Sequence, residues 1–204
     1  MKIIYLEQYF GTPETLLSRT SSYEWARRFV AHGHEVRVVT SDRTAATRGW
    51  TESEVDGIRV YQYPVACSNK MSYRRRIAAF LQFVGISARK AAALPGDVVI
   101  ATSTPLTIAL PAAYVAWRKK IPMVLEVADL WPEIPIAVGA LRNPLSIGAA
   151  RWLERFAYRH AAHVMAHSPA TKDGVVRAGY PAQRVTYVCG NCDRQRFHVP
   201  AERG

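Results

Sequence analysis

The fold class is decided by three consecutive segments: 2-KIIYL-6, 21-SSYEWARRFVAHG-33 and 35-EVRVVTS-41. The first and third are short and rich in β-branched residues, which indicates β-strands. The segment between them has apolar residues at helical spacing and ends at Gly33, a typical helix C-cap. Together they predict a β-α-β unit, the building block of a parallel sheet.

The same alternation continues along the chain. We predict strands at 58–63, 97–103, 122–128, 162–168 and 184–189, and helices at 71–94, 105–120, 144–160 and 169–179. The strands are apolar without interruption, which is typical of a parallel sheet covered on both faces. We therefore expect one α/β domain with a Rossmann-like, doubly wound parallel sheet.

The composition excludes several protein classes. Among 204 residues, 27 Lys and Arg oppose 16 Asp and Glu, for a formal net charge of +11, and 49% are hydrophobic. This mixture does not fit collagenous, coiled-coil or disordered chains. No apolar run approaches the ~18 residues of a membrane span, and the start, MKIIYLEQYF, lacks signal-peptide features.

The charge and the cysteine content predict location and partners. Only three cysteines occur, which favours a reducing cytoplasm. The positive excess favours anionic partners such as phosphates, nucleic acid or the inner leaflet of a membrane.

Ligands of open parallel sheets bind outside the carboxyl ends of the strands, so the loops there are the candidate sites. The loop after the first strand contains neither GxGxxG nor GxxxxGK[ST], which argues against dinucleotide dehydrogenases and P-loop NTPases. Gly11, Thr12 and Arg19 in this loop would allow a backbone approach to a phosphate or a sugar. An ordinary surface loop is the alternative.

The segment 126-EVADLWPEIP-135 is the densest polar cluster at a predicted strand end. Glu126, Asp129 and Glu133 could accept hydrogen bonds from sugar hydroxyls or act as a general base. Trp131 offers an apolar face for a ring or an isoprenoid chain. Alternatively, Asp129 braces the loop and Trp131 packs inward.

Cysteine and histidine give weaker signals. Cys189 and Cys192 form a CxxC motif after the last predicted strand, where neither a redox pair nor a zinc site is expected. Five of the six histidines lie in helix-to-strand turns or near the end of the chain. His167, at the carboxyl end of a predicted strand, is the exception that merits a test.

The predicted helix at 71–94 is basic and amphipathic. Arg74, Arg75 and Arg76 lie in its first turns, and no acidic residue occurs between Gly57 and Gly96. Such a helix could lie on an anionic membrane. A sheet-covering helix with a solvated basic face is the alternative, and no recognised nucleic-acid motif accompanies it.

Three segments, in order, resemble sugar-nucleotide glycosyltransferases of group 1, also called family 4. SSYEWARRFVAHGHEVRVVTS is similar to their first helix and second strand. EVADLWPEIP followed by VGAL resembles the D-L-W-P loop of a WbuB-like subgroup that builds bacterial surface polysaccharides. HSPATKDGVVRAGYPAQRVTYVCGNCDRQRF resembles the end of the N-terminal lobe, where Asn191, Asp193 and Phe197 match P-N-G-x-D-x-x-x-F although its proline and glycine pattern is altered.

This resemblance implies that residues 1–198 form the N-terminal, acceptor-binding lobe of a GT-B arrangement. Residues 199–204 would begin the interlobe linker or a tail, and the C-terminal donor lobe is absent from the sequence. It further implies retaining transfer from a nucleotide sugar to a hydroxyl acceptor, which we expect to be a lipid-linked saccharide. The nucleotide sugar is a co-substrate, and neither a cofactor nor a metal is implied.

The resemblance also assigns roles to individual residues. Asp129 would be the catalytic residue that orients the donor sugar or the acceptor hydroxyl. The implied acceptor-binding residues are Ser103, Thr104, Glu126, Trp131, Glu133, Ser168 and Thr171, to which the first loop adds Gly11, Thr12 and Arg19 as candidates. Arg74, Arg75 and Arg76 would hold the lobe at the inner face of the membrane, and nucleic acid is not an expected partner. The lobe alone would be inactive, and a non-catalytic sugar- or nucleotide-binding module of the same fold is the alternative function.

Overall fold

The structure, a computed structural model, describes residues 1–13, 21–43, 48–68, 71–103, 105–139 and 141–188. The strands are β1 (Lys2–Leu6), β2 (Glu35–Asp42), β3 (Thr51–Val55), β4 (Ile58–Pro64), β5 (Val98–Thr102), β6 (Met123–Val127), β7 (His163–Ala166) and β8 (Val185–Tyr187). The helices are α1 (Ser21–Ala31), α2 (Tyr73–Ala93), α3 (Ala109–Lys119), α4 (Glu133–Ala137), α5 (Pro144–His160) and α6 (Pro169–Arg177).

In these ranges the strands form one eight-stranded sheet in the order β3-β4-β2-β1-β5-β6-β7-β8. Every neighbouring pair is parallel except β3 and β4, which form an antiparallel hairpin at one edge. From β1 the chain proceeds first to β2 on one side and later to β5 on the other. The strand order therefore reverses between β1 and β5, which is where open α/β sheets bind their ligands.

The helices cover both faces of the sheet, as predicted. Alternate residues of β1 point to opposite faces: Ile3 and Tyr5 belong to the core under α1, whereas Ile4 and Leu6 belong to the larger core under the other long helices. The doubly wound α/β prediction is thus confirmed.

Two elements were not predicted. β3 has the sequence TESEV, and its middle three residues are exposed, so it lacks the apolar pattern of a buried strand. α4 is only five residues long and contains Pro135, which disfavours a helix prediction. Neither element changes the order of the parallel core.

Local signals place the helix ends near the carboxyl edge. Ser168 caps α6, since its Oγ accepts a hydrogen bond of 2.9 Å from the backbone N–H of Thr171, and Pro169 occupies the first helical position. Asn143 caps α5 in the same way, with a bond of 2.9 Å from Leu145 N–H. Both starts therefore follow directly from the sequence.

Candidate functional site

The centre of the candidate site is a pair formed by Glu126 and His167 at the carboxyl ends of β6 and β7. His167 Nε2 lies 2.6 Å from Glu126 Oε1. The Glu126 side chain is fully buried, whereas 23% of the His167 side chain is exposed. The pair thus connects a buried carboxylate to the surface of the carboxyl edge.

The second carboxylate oxygen of Glu126 is also occupied. Thr102 Oγ1 donates to Oε2 over 2.7 Å, and the Tyr5 hydroxyl donates to the same oxygen. These donors come from β5 and β1, the two strands at which the sheet order reverses. Because every polar atom of the carboxylate has a protein partner, Glu126 holds His167 in place rather than presenting a free oxygen to an acceptor.

The hydrogen bonds determine the charge state of the pair. Burial alone would raise the pKa of Glu126, but the hydrogen bonds from His167, Tyr5 and Thr102 together outweigh it and lower that pKa. The bond from Glu126 raises the pKa of His167, against the opposing effect of burial, and the charge of Asp129 raises it further. Near neutral pH this arrangement favours an imidazolium next to a carboxylate.

Other polar side chains lie buried along the same edge. Glu7, just beyond β1, is 5% exposed, and burial raises its pKa to about 8. Gln8 and Ser103 follow the neighbouring strands β1 and β5 and are 1% and 2% exposed. Among the described residues, no hydrogen-bond partner satisfies Glu7 Oε2, either polar atom of the Gln8 amide, or Ser103 Oγ. The edge therefore holds buried polar atoms without a hydrogen-bond partner among the described residues.

The loop after β6 carries the predicted catalytic residue. Asp129 is exposed, and its charge acts on His167. Trp131 is half-buried and packs against the larger core, where it also lines a groove next to Leu106. Glu133 is exposed at the start of α4, and together with burial its charge raises the pKa of Glu154 to about 7.

The remaining predicted residues are placed as follows. Ser168 and Thr171 are joined through the α6 cap, with 2.8 Å between their hydroxyl oxygens. Gly11 and Thr12 are buried just after β1. Arg19 and Thr104 lie outside the described residues, as do Cys189, Cys192 and the matches at 191–197.

Of the three arginines predicted to face a membrane, Arg74 and Arg75 are exposed on α2. Arg76 is half-buried, and its charge acts on the Tyr9 hydroxyl. Arg76 is thus less exposed than its two neighbours, and the membrane-facing role of the three arginines stays a prediction.

Neither a metal site nor a membrane span is found in the described ranges. They contain no group of three or more His, Cys, Asp or Glu side chains positioned to hold a metal ion. Nor does any helix in these ranges combine the length and hydrophobicity needed to cross a bilayer.

The arrangement combines an imidazolium, an exposed carboxylate and unsatisfied buried hydrogen-bonding groups at one edge of the sheet. A cation next to helix N-termini suits a phosphate, and carboxylate and amide groups suit sugar hydroxyls. His167 was recognised in the sequence by its position after a strand. Its partnership with Glu126 was not, because these residues are 41 positions apart.

A mostly parallel α/β sheet with its polar groups gathered at this edge is a Rossmann-like lobe. The chain belongs to the glycosyl transferase 4-like domain family, whose model matches residues 18–190. No curated protein sequence is similar enough to the chain to match it.

Solved structures share this fold. Anabaena Alr3699/HepE in complex with UDP-glucose is 14% identical over 98% of this chain and 47% of its own, with a TM-score of 0.58. Sucrose-phosphate synthase from Thermosynechococcus elongatus is 11% identical over 98% of this chain and 53% of its own, with a TM-score of 0.65. UDP-GlcNAc 2-epimerase from Methanocaldococcus jannaschii is 13% identical over 93% and 46%, with a TM-score of 0.51. The chain therefore spans about half the length of these structures, and at such identities the likeness concerns the fold alone.

Proposed function

We propose that the chain is the N-terminal, acceptor-binding lobe of a retaining glycosyltransferase. In this proposal the complete enzyme moves a sugar from a nucleotide-sugar donor, bound mainly by a second lobe, to a hydroxyl of a lipid-linked saccharide. It belongs to the WbuB-like subgroup, acts in bacterial surface polysaccharide synthesis at the inner face of the membrane, and requires no cofactor. The lobe by itself is inactive.

One observation carries the proposal: the Glu126–His167 pair lies beside Asp129 at the carboxyl edge of a glycosyl transferase 4-like domain. Such an edge brings a cation and a carboxylate to the place where α/β sheets bind ligands. Nucleotide sugars carry both a diphosphate and sugar hydroxyls, so one ligand could use both charges.

In the proposed mechanism Asp129 contacts the reacting groups. Its carboxylate accepts a hydrogen bond from the donor sugar or from the acceptor hydroxyl and fixes the angle of approach. The donor phosphate departs on the same face and takes the proton of the acceptor hydroxyl. His167, kept cationic by Glu126, stabilises the negative charge that develops on the departing phosphate.

The buried polar groups position the acceptor. Ser103 and the start of α6 at Ser168 and Thr171 donate or accept hydrogen bonds, while Trp131 packs against an apolar part of the acceptor. Glu133 contacts acceptor hydroxyls from the loop. The predicted contact by Glu126 becomes an indirect role, because its carboxylate is buried and occupied.

The direct experiment is a transfer assay with the full-length protein. It would be incubated with a panel of labelled nucleotide sugars and a lipid-linked saccharide, and the anomeric configuration of the product would be read by NMR. We expect transfer with retention and no loss of activity with a chelator. Inversion would contradict the retaining mechanism, and absence of transfer from every donor would contradict the transferase itself.

The alternative function is a non-catalytic sugar- or nucleotide-binding module, acting alone or with a partner chain. The observation that favours it is that His167, Glu126 and Asp129 come together at one edge of a single sheet, so this chain by itself offers charged groups to a ligand. It predicts nucleotide-sugar binding by this chain alone, measurable by calorimetry, without product formation by the full-length protein. Transfer by the full-length protein would remove this alternative.

A further inference from the structure

An apolar groove of about 270 Å³ opens between α2 and α5, beyond the carboxyl end of β5. Its walls include Ile77 and Phe80 of α2, Leu153 of α5, and Leu106 and Trp131 from the loops after β5 and β6. Among the lining residues that the structure describes, Thr107 and Ser146 carry hydroxyl groups and the other eight are apolar. The groove therefore suits a hydrocarbon group, because the transfer of apolar surface out of water is favourable.

Two arginines act electrostatically on the hydroxyl of Tyr9, and one of them, Arg76, immediately precedes the groove residue Ile77 on α2. The guanidinium carbon of Arg43 is 5.1 Å from the centroid of the Tyr9 ring. Burial dominates and raises the pKa of this hydroxyl, while the charges of Arg43 and Arg76 both act to lower it. Phe80 is one helical turn beyond Arg76, which makes the two residues neighbours on α2.

Both arginines have donors to spare. Arg43 uses Nε for a bond of 3.3 Å to the carbonyl oxygen of Cys67, which leaves its terminal N–H groups. Neither arginine takes part in an ion pair with an acidic side chain in the part of the chain that the structure describes. Two unpaired guanidinium groups favour a phosphate or diphosphate, which they bind through paired hydrogen bonds.

The groove opens onto an apolar surface. Leu81, one turn beyond Ile77, is 56% exposed. Leu145 and Trp152 flank the groove residue Ala149 on one stripe of α5, and they are 84% and 60% exposed. These exposed apolar side chains lie on the same two helices as the groove and suit contact with a lipid phase.

We propose that this groove binds the hydrocarbon chain of a single-chain lipid phosphate or diphosphate, and that Arg43 and Arg76 bind its phosphate groups. The assignment of this lipid as the acceptor carrier rests on the proposed function. The volume is near the lower end for ligand cavities, at ~300 Å³, so it accommodates one chain segment rather than the two chains of a phospholipid.

Binding of farnesyl diphosphate to this chain, measured by calorimetry, tests the groove directly. Inorganic pyrophosphate provides the head group alone, and farnesol provides the tail alone. Ala150→Trp fills the groove, Arg76→Ala removes a phosphate ligand, and Ala78→Trp, on the exposed side of α2, is the matched control.

We expect Ala150→Trp to weaken farnesyl diphosphate binding by about tenfold or more and to leave pyrophosphate binding unchanged. Arg76→Ala should weaken both, and Ala78→Trp neither. Equal binding of farnesyl diphosphate by the wild type and Ala150→Trp would overturn the proposal. If Ala150→Trp fails to fold, a benzophenone-tagged farnesyl diphosphate replaces it: crosslinks in α2 or α5 support the groove, and crosslinks elsewhere overturn it.

A second assay separates this inference from the proposed function. In the full-length protein, Ala150→Trp should raise KM for a lipid-linked acceptor and leave transfer to the lipid-free saccharide unchanged. If Ala150→Trp changes transfer to neither acceptor, the proposed groove is contradicted, and the proposed transferase function stands. If farnesyl diphosphate binds but the protein transfers sugar to no acceptor, the proposed transferase function is contradicted, and the proposed groove stands.

Discussion

His167 Nε2 lies 2.6 Å from Glu126 Oε1, and this bond connects the buried end of β6 to the exposed edge of the sheet. The two residues belong to neighbouring parallel strands, so their carboxyl ends meet by topology. Thr102 and Tyr5 fix the carboxylate from two further strands. The pair therefore exists only when four strands are in register.

The first prediction concerns the charge of His167. In Glu126→Gln the pKa of His167 should fall toward its ordinary value, because the hydrogen bond to a carboxylate is the main cause of the increase. NMR titration of the His167 ring protons measures this change, with exposed His32 as an internal control. An unchanged His167 titration in the variant would rule out the positioning role.

The same substitution should reduce stability by about 1–3 kcal/mol, because it leaves partners of a buried group unsatisfied. The wild-type pair loses the His167 contribution as pH rises through the raised pKa of that group. It loses the Glu126 contribution as pH falls through the lowered pKa of the carboxyl group. Denaturant unfolding across pH should therefore show a flatter curve for Glu126→Gln.

The second prediction concerns Glu7, whose pKa burial raises to about 8 from an ordinary value of 4.5. The folded state binds this proton more tightly, so stability should fall as pH rises between these two values. Glu7→Gln carries no titrating proton and should gain stability relative to the wild type at about pH 9, but less at about pH 5.

Glu35→Gln is the matched control, because Glu35 is exposed and a hydrogen bond from Arg37 lowers its pKa. Its effect on stability should be nearly the same at about pH 5 and about pH 9, because the lowered pKa keeps the Glu35 carboxylate charged at both. Thermal melts that give Glu7→Gln the same advantage at both pH values would contradict the assignment of a protonated Glu7.

Much of this fold follows from the sequence, and the reasons are local. The β1-α1-β2 unit has apolar strands, helical spacing and a glycine at Gly33, where φ is +79°. Ser168 with Pro169 correctly predicted the start of α6. β3 escaped prediction because an exposed edge strand does not need an apolar pattern.

The candidate site is less predictable, because it depends on contacts between distant segments. The sequence places Glu126 and His167 at strand ends, but their bond depends on the neighbouring positions of β6 and β7 in the sheet. Likewise, three consecutive arginines read alike, yet only Arg76 is half-buried and acts electrostatically on Tyr9. A contact of this kind follows from tertiary packing, which residue spacing alone does not encode.

The third prediction concerns Gly174, which allows α6 to approach the loop that contains Asp129. A Cβ atom at Gly174 would lie 3.0 Å from Leu130 Cγ and closer still to both methyl carbons of Leu130. Gly174→Ala should therefore cost about 1–3 kcal/mol by overpacking. The double variant with Leu130→Ala should recover part of this loss, as measured by denaturant unfolding.

Gly148→Ala in α5 is the matched control, because nothing lies within 4 Å of its Cβ position. It should stabilise the protein by up to about 1 kcal/mol through helix propensity. Equal effects of Gly174→Ala and Gly148→Ala on the free energy of unfolding would show that the close approach to Leu130 does not limit the side chain at position 174.

The fourth prediction tests the proposed contact with a membrane. Arg74 and Arg75 are exposed on α2, and each basic residue near an anionic surface contributes ~1 kcal/mol. The double variant Arg74→Gln/Arg75→Gln should weaken binding to anionic vesicles by roughly tenfold or more. Vesicle co-sedimentation at low and high salt measures this difference.

The control replaces Arg118 and Lys120 by Gln at the end of α3, on the opposite edge of the sheet. This pair should have little effect. Equal weakening by both double variants would indicate attraction by net charge alone, in place of a membrane-facing surface on α2.

The last prediction concerns Asp129, on which the proposed mechanism depends. Asp129→Asn keeps the size of the side chain and its exposure at the end of β6, and it removes the negative charge. Its turnover in the full-length protein, with donor and acceptor saturating, is the most direct test of the account. We predict a loss of about tenfold or more relative to the wild type, the minimum typical of a group that acts on the transferred proton or orients the reacting atoms. An unchanged turnover number would contradict the account and remove Asp129 from the mechanism.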